Sequence, residues 1–273
     1  MKRANRWLAG LVFIVSIVLL AISIYSLMGM FEEWKAADDL KQTLTAIYIG
    51  DDSGAGLDTE AVEDSENGEV FVEAVKAEET GALVTPGLLT LHEENPDFIG
   101  WISIEGTAID YPVMYHPEEE NYYLKRDFYR NYSANGSIFL SELCDPETSD
   151  NLIVYGHHMK SGAMFAALED YKEQDFYLEH PEVVLDTLHG TEIYEIIAVF
   201  LTPVYTENDF AYYAFTGAET EEEFDEFIDG VMVRALYDTG KSASFGDKFL
   251  TLSTCEYSQT NGRIVVIAKR SEQ

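Results

Sequence analysis

One apolar segment near the N-terminus limits what this chain can fold into. From Trp7 to Phe31 about 25 residues follow one another without a charged side chain, and at about 1.5 Å per residue such a helix crosses a hydrocarbon core of about 30 Å. Basic side chains precede the segment and acidic ones follow it. The positive-inside rule therefore predicts a single-pass membrane protein with residues 1–6 in the cytoplasm, an anchor over 7–31 and the rest outside. A cleaved signal peptide is the alternative, although its apolar region is usually only about 7 to 15 residues long.

An excess of negative charge marks the segment that follows. The chain has a formal net charge of −33, and much of it lies between Asp51 and Glu79, where Lys76 is the only basic residue. Such a segment repels itself and has little apolar surface to bury, so we predict an acidic extracytoplasmic stalk over residues 32–85. The negative charge also argues against nucleic acid as a partner, because phosphate binding depends on clustered Lys and Arg.

The remaining residues, 86–273, form one predicted domain that is mainly β. A short helical pattern begins at Pro86 and ends at Pro96. It is followed by runs rich in Ile, Val, Tyr and Phe, which predict strands at Trp101–Ile104, Ala108–Val113, Ser137–Leu140, Leu152–Tyr155, Ile193–Phe200, Phe249–Thr254 and Ile264–Ala268. Helical patterns interrupt them at Met164–Tyr171 and at Thr220–Leu236, where Thr220 and Glu223 form a capping box. Many short strands with few helices are typical of a β-barrel or a β-sandwich.

A predicted hairpin near the C-terminus is the first stretch that can carry chemistry. Phe249–Thr254 is strand-like, a polar turn follows, and a second strand begins near Arg263. Side chains alternate along a strand, so Ser253 and Cys255 share one face. Closing the hairpin would return the Arg263 guanidinium to the thiol. A buried structural cysteine and a solvated arginine are the alternative interpretation.

A second stretch supplies a histidine. An apolar strand pattern runs into Gly156 and His157, a strand-to-loop junction of the kind that often presents catalytic side chains. An imidazolium stabilises a thiolate that is otherwise scarce at neutral pH, so a distant histidine suits a thiol nucleophile. His157 and His158 make a poor metal pair, because adjacent residues seldom bind one ion, and we expect no metal and no cofactor. The other cysteine is Cys144, and a disulfide between the two would silence Cys255.

Several of these residues resemble the signature of a known family. TLSTC at Thr251–Cys255, YGHHM with the downstream MF at Tyr155–Phe165, and Arg263 on the following strand resemble the class B sortases, the cysteine transpeptidases of Gram-positive cell surfaces. Asn95–Val113 and Asn135–Leu140 are also similar to that family. The resemblance implies a sortase-type closed β-barrel with peripheral helices, preceded by the N-terminal transmembrane helix.

The resemblance also implies a reaction and the residues that perform it. Cys255 would attack the carbonyl of a Thr in the C-terminal sorting motif of a surface protein and form a thioester. His157 would give and take the protons, and Arg263 would stabilise the oxyanion. The family positions that line the peptide groove are matched here by Ser253, Glu256 and Leu124.

The amine that resolves the thioester stays open at this point. An amine of a peptidoglycan precursor and a Lys of a pilin subunit would both fit the same chemistry. Class B members often have Asn four residues before the Leu of their YL pair, whereas this chain has Glu120 before Leu124, so the substrate preference can differ. The alternative functions are a surface thiol protease and a non-enzymatic adhesin.

Overall fold

The computed structural model describes residues 2–50, 85–206, 209–258 and 260–271 of the chain. It divides into two compact units, Met1–Gln42 and Thr43–Gln273. The first unit is most of α1 (Lys2–Ile49), which is the one helix in the described ranges long and apolar enough to cross a membrane. Residues 15–31 are exposed along their whole length. By length and composition α1 can therefore serve as a membrane anchor.

Helix α1 continues beyond the predicted anchor. The sequence predicts a stalk over residues 32–85, whereas residues 32–49 are helical. Helix-forming Ala, Leu, Lys and Gln are frequent just after Trp34, which favours continuation. Near the end of the helix Leu44 is buried. The acidic stretch Asp51–Glu79 lies outside the described residues.

Eight strands in the described part of the second unit close into a barrel. In chain order they are β1 (Phe98–Ser103), β2 (Asp110–Met114), β3 (Ile138–Leu140), β4 (Asn151–Tyr155), β5 (Glu182–Thr187), β6 (Gly190–Pro203), β7 (Phe249–Glu256) and β8 (Gly262–Arg270). Their order around the barrel is β1-β2-β3-β4-β7-β8-β6-β5. The pairs β2/β3 and β4/β7 are parallel, and the other neighbours are antiparallel. Closure removes free strand edges and confirms the predicted closed barrel.

Short helices precede the first strand and connect the later ones. They are α2 (Pro86–Glu94), α3 (Gln174–Glu179), α4 (Glu221–Met232) and 3₁₀ helices at Tyr122–Lys125, Ala166–Lys172 and Tyr212–Ala214. Thr220 caps α4 as predicted, and its side chain accepts a hydrogen bond from the Glu223 amide at 3.3 Å. Helix α4 ends before the predicted Leu236, because the Leu236 amide donates instead to the Val199 carbonyl of β6 at 2.8 Å.

Two apolar clusters distinguish the inner face of β7 from its outer face. The larger cluster fills the barrel and includes Leu252 of β7. The second packs α4 and Tyr212 against the outer face of β6, β7 and β8. Because side chains alternate along a strand, Ser253 and Cys255 lie on the outer face and Glu256 on the inner one.

The end of α1 contacts the barrel through Tyr48. Its ring stacks on Trp101 of β1, with centroids 4.5 Å apart and the planes 2° from parallel. Its hydroxyl donates a hydrogen bond to Asp186 of β5. Burial and the neighbouring Asp186 carboxylate raise the pKa of the Tyr48 phenol, so the phenol stays protonated and keeps its donor.

We expect Tyr48→Phe to lower the free energy of unfolding by about 1 to 2 kcal/mol, because a hydrogen bond to a charged acceptor is lost while the stacked ring is kept. Thermal unfolding of the full chain in detergent measures the change. Tyr132→Phe is the control, because Tyr132 is 73% exposed, and it should leave stability unchanged. Equal stability of the two variants would show that the Tyr48 hydrogen bond contributes nothing.

Candidate active site

The β7/β8 hairpin brings Cys255 and Arg263 together. The two residues are direct partners across the antiparallel ladder, so their side chains leave the same face of the sheet and their Cβ atoms are about 4.5 to 5.5 Å apart. Cys255 is a free thiol and partly exposed at the end of β7. The Arg263 Nη1 donates to the Gly262 carbonyl at 2.9 Å, which holds the guanidinium at the start of β8.

The parallel pairing of β4 with β7 brings His157 to the level of Cys255 along the sheet. Tyr155, the last residue of β4, is the partner of Ser253 on β7. His157 comes two residues after Tyr155, and Cys255 comes two residues after Ser253. Gly156 fixes the chain beyond β4 to β7 through both of its backbone groups: its amide donates to the Ser253 carbonyl at 3.3 Å, and its carbonyl accepts from the Thr254 hydroxyl at 2.7 Å. The structure thus gathers the predicted catalytic residues around one end of β4, β7 and β8.

The imidazole of His157 is oriented by a backbone carbonyl. Its Nε2 lies 2.8 Å from the Leu124 carbonyl oxygen. A carbonyl only accepts, so Nε2 carries the hydrogen and Nδ1 is the unprotonated nitrogen of the neutral ring. Gly136 packs against the same backbone, and a Cβ there would lie 2.4 Å from the Leu124 oxygen. This role of Leu124 was not predicted, because a backbone acceptor has no sequence signature.

The predicted groove residues make internal contacts. Ser253 is buried, and its hydroxyl lies 2.7 Å from the hydroxyl of Tyr212, also buried. The Glu256 carboxylate is buried as well and accepts hydrogen bonds from Lys172 at 2.6 Å and from the Ser258 amide at 3.0 Å. The side chain of Leu124 is 36% exposed. Contact of Ser253, Glu256 and Leu124 with a peptide stays a prediction.

Tyr212 is a residue near the site that the sequence analysis missed. Burial raises the pKa of its phenol to about 12, and this rise is opposed by the hydrogen bond with Ser253 and by the positive charge of Arg263. The phenol is therefore neutral at physiological pH, and Arg263 is close enough for its charge to act on Tyr212. Tyr212 belongs to the 3₁₀ helix between β6 and α4, which is far in sequence from Ser253 on β7. The two residues therefore meet only in the folded chain.

The second cysteine, Cys144, is buried, whereas Cys255 is partly exposed. Cys144 is a free thiol in the barrel core, and its Sγ donates to the Asn151 carbonyl at 3.3 Å. Burial raises the pKa of the Cys144 thiol to about 11, so the thiolate is scarce. In the ranges that the structure describes, no group of three or more His, Cys, Asp or Glu side chains is arranged to hold a metal ion.

Comparison with known proteins identifies the family. Residues 102–271 match the family model of the sortase domain. The chain is 35% identical to sortase B of Staphylococcus aureus over 191 residues, which cover 68% of this chain and 75% of that protein. It is 32% identical to sortase B of Listeria monocytogenes over 244 residues, which cover 88% and 91% of the two proteins.

Solved structures agree with the sequence comparison. A Staphylococcus aureus sortase B–substrate complex superimposes with a TM-score of 0.63 at 32% identity, covering 69% of this chain and 86% of that chain. Sortase B from Bacillus anthracis in complex with AAEK1 gives a TM-score of 0.66 at 26% identity, covering 89% and 100%. With its closed barrel and its paired Cys255 and Arg263, the chain belongs to the sortase family. Its relatives place it in class B, and it is a cysteine transpeptidase.

Proposed function

We propose that this class B sortase cleaves a sorting motif after Thr and transfers the acyl group to an amine through a thioester on Cys255. The observation that carries the proposal is the position of Cys255 on β7. It pairs with Arg263 on β8, and the register between β4 and β7 puts His157 at the same end of the sheet. A sortase B–substrate complex and a sortase B complexed with triglycine are among the related solved structures. They support a peptide donor and an amine acceptor for this chain.

In the first half of the reaction, the Cys255 thiolate attacks the carbonyl carbon of the Thr. A carbon–sulfur bond forms, and the carbonyl oxygen takes the negative charge that Arg263 stabilises. The tetrahedral intermediate collapses, the peptide carbon–nitrogen bond breaks, and protonated His157 gives its proton to the leaving amine. The acyl group stays on Cys255 as a thioester.

In the second half, the nitrogen of the acceptor amine attacks the thioester carbon. Neutral His157 takes the proton from the incoming nitrogen, an amide bond forms, and the carbon–sulfur bond breaks to return the thiolate. The hydrogen bond from Nε2 to the Leu124 carbonyl leaves Nδ1 as the atom that carries the proton in both directions. Arg263 suits its role because its rigid planar donors stay charged throughout the cycle.

The place of the reaction follows from the topology that we propose. The α1 helix anchors the chain as a single-pass membrane protein with the N-terminus in the cytoplasm and the barrel outside. Sorting-motif surface proteins are then the donors. The acceptor is an amine of a peptidoglycan precursor, or a Lys of a pilin subunit in the alternative form of the proposal.

The division of products between amine and water tests the proposed function. The full chain in detergent is incubated with a panel of fluorogenic pentapeptides that contain Thr, with and without triglycine. We expect most of the acyl group to appear as the triglycine amide, because a transferase shields the thioester from water. A thiol protease would give the hydrolysed peptide at the same rate in both cases. An adhesin would give neither product and would leave Cys255 unreactive towards iodoacetamide, and either result would contradict the proposal.

A further inference from the structure

His158 lies beside the proposed nucleophile without sharing the contacts of His157. Its Nδ1 lies 3.0 Å from the carbonyl oxygen of Cys255, and since a carbonyl only accepts, Nδ1 carries the hydrogen. The side chain is 17% exposed. The Tyr257 hydroxyl donates to the His158 carbonyl at 3.3 Å, and the two rings lie 5.2 Å apart. His158 therefore joins the loop after β4 to the end of β7 by both its side chain and its backbone.

A charged network lies next to the His158 ring. Lys172 forms ion pairs with Glu169 and, at 2.6 Å, with Glu256. Burial alone would raise the pKa of Glu256, but hydrogen bonds from Lys172 and Ser258 outweigh it and lower the value. Burial would lower the pKa of Lys172, and the two carboxylates outweigh that effect and raise it. Lys172 and Glu256 are thus held in their charged forms, and the Lys172 ammonium contacts the carboxylates of both Glu169 and Glu256.

The second oxygen of Glu169 points to His158. This Oε2 atom is buried and has no hydrogen-bond partner in the described residues, and it lies 3.8 Å from His158 Nδ1. A buried carboxylate oxygen with a free acceptor position favours an N–H on the nearest ring nitrogen. Glu169 therefore favours the same hydrogen position on His158 that the Cys255 carbonyl requires.

We propose that His158 is a positioning residue for transpeptidation, whose Nδ1–H holds the Cys255 carbonyl and so fixes the thiol in line with the substrate. The proposal rests on the proposed function, because it takes Cys255 as the nucleophile. Strand β7 stays paired with β8 at Cys255, but its pairing with β4 ends at Ser253, so the hydrogen bond from His158 restrains the Cys255 carbonyl beyond the last paired residue of β4. A misplacement of about 1 Å at a reacting atom can cost about 10²-fold in rate.

The test compares His158→Asn, His158→Gln and His158→Leu in the full chain. The side-chain nitrogen of Asn is as many bonds from Cα as Nδ1 of His, so Asn keeps the donor in place, whereas Gln moves it and Leu removes it. We expect kcat to fall about 10- to 100-fold in His158→Leu and His158→Gln, with KM changed less than about threefold. In His158→Asn we expect kcat to stay within about fivefold of the unsubstituted chain. The assay uses a Thr-containing fluorogenic pentapeptide and triglycine.

Each outcome separates this inference from the proposed function. Equal losses in Asn and Leu, or normal kcat in Leu, would overturn the role of the Nδ1 donor. Cys255→Ala is measured in parallel, and activity in that variant would overturn the proposed function instead. If His158→Leu does not fold, as judged by thermal unfolding, the comparison of Asn with Gln decides, because both are polar and differ in where they place the donor.

Discussion

Cys255→Ala is expected to reduce transpeptidation by at least about 10⁴-fold, because without the thiol no thioester forms and only the binding and oxyanion interactions remain. The side chain is partly exposed at the end of β7, so its loss should leave the fold intact. Turnover of a Thr-containing fluorogenic pentapeptide with triglycine measures the effect, and circular dichroism checks the fold.

Cys144→Ala is the matched control for the nucleophile. Its thiol is buried in the barrel core, so the variant should lose some stability and keep kcat within a few-fold at a temperature where it is folded. Product formation by Cys255→Ala at more than a few per cent of the normal rate would remove Cys255 from the mechanism. A complete loss of activity in Cys144→Ala with the fold preserved would show that Cys144 is needed for the reaction, which contradicts the assignment of Cys255 as the only reacting thiol.

Arg263→Lys is expected to reduce kcat/KM by more than about tenfold, and as much as about 10²- to 10³-fold if one oxyanion donor is lost completely. Lys keeps the charge but has neither the planar fork nor the reach of the guanidinium. The expected signature is a fall in kcat rather than a rise in KM, because the donor acts on charge that develops in the transition state.

Arg270→Lys provides the control on the same strand. Arg270 is the last residue of β8, and it pairs with Glu192 at 3.0 Å with about half of its side chain exposed. Its replacement should leave kcat/KM unchanged, since exposed ion pairs contribute little. Near-normal turnover by Arg263→Lys would show that the guanidinium has no specific role in stabilising the oxyanion.

The parts of the fold that the sequence predicted well are those with strong local signals. The strand-like runs Phe249–Thr254 and Ile264–Ala268 lie within β7 and β8, and the capping pattern at Thr220 is the start of α4. Alternation along β7 correctly placed Ser253 and Cys255 on one face. These features depend on neighbouring residues, so they can be inferred without knowing the fold.

The parts that were missed depend on distant contacts. Strand β5, reading EVVLDT, was not predicted, because the segment has polar residues at both ends and buries only Val183 and Leu185 in the core. It exists because β1 and β6 pair with it on both sides. The predicted helical segment Met164–Tyr171 forms with shifted bounds as a 3₁₀ helix at Ala166–Lys172, in which Leu168 and Tyr171 are buried in the core.

The same distinction holds within the candidate site. The motif residues Cys255, His157 and Arg263 could be named from sequence, and the strand register places them at one end of the sheet. The two histidine rings, in contrast, are held by backbone carbonyls, that of Leu124 for His157 and that of Cys255 for His158. Side-chain identity carries no information about such acceptors, so only the folded chain shows them.

The most direct test is the intact mass of the full chain after incubation with a Thr-containing sorting pentapeptide in the absence of any amine, followed by peptide mapping of the modified residue. We expect a mass increase equal to the acyl part of the peptide, located on Cys255 and absent from Cys144, and we expect it to disappear when triglycine is added. An acyl group found on another residue, or one on Cys255 that triglycine cannot remove, would contradict the thioester mechanism.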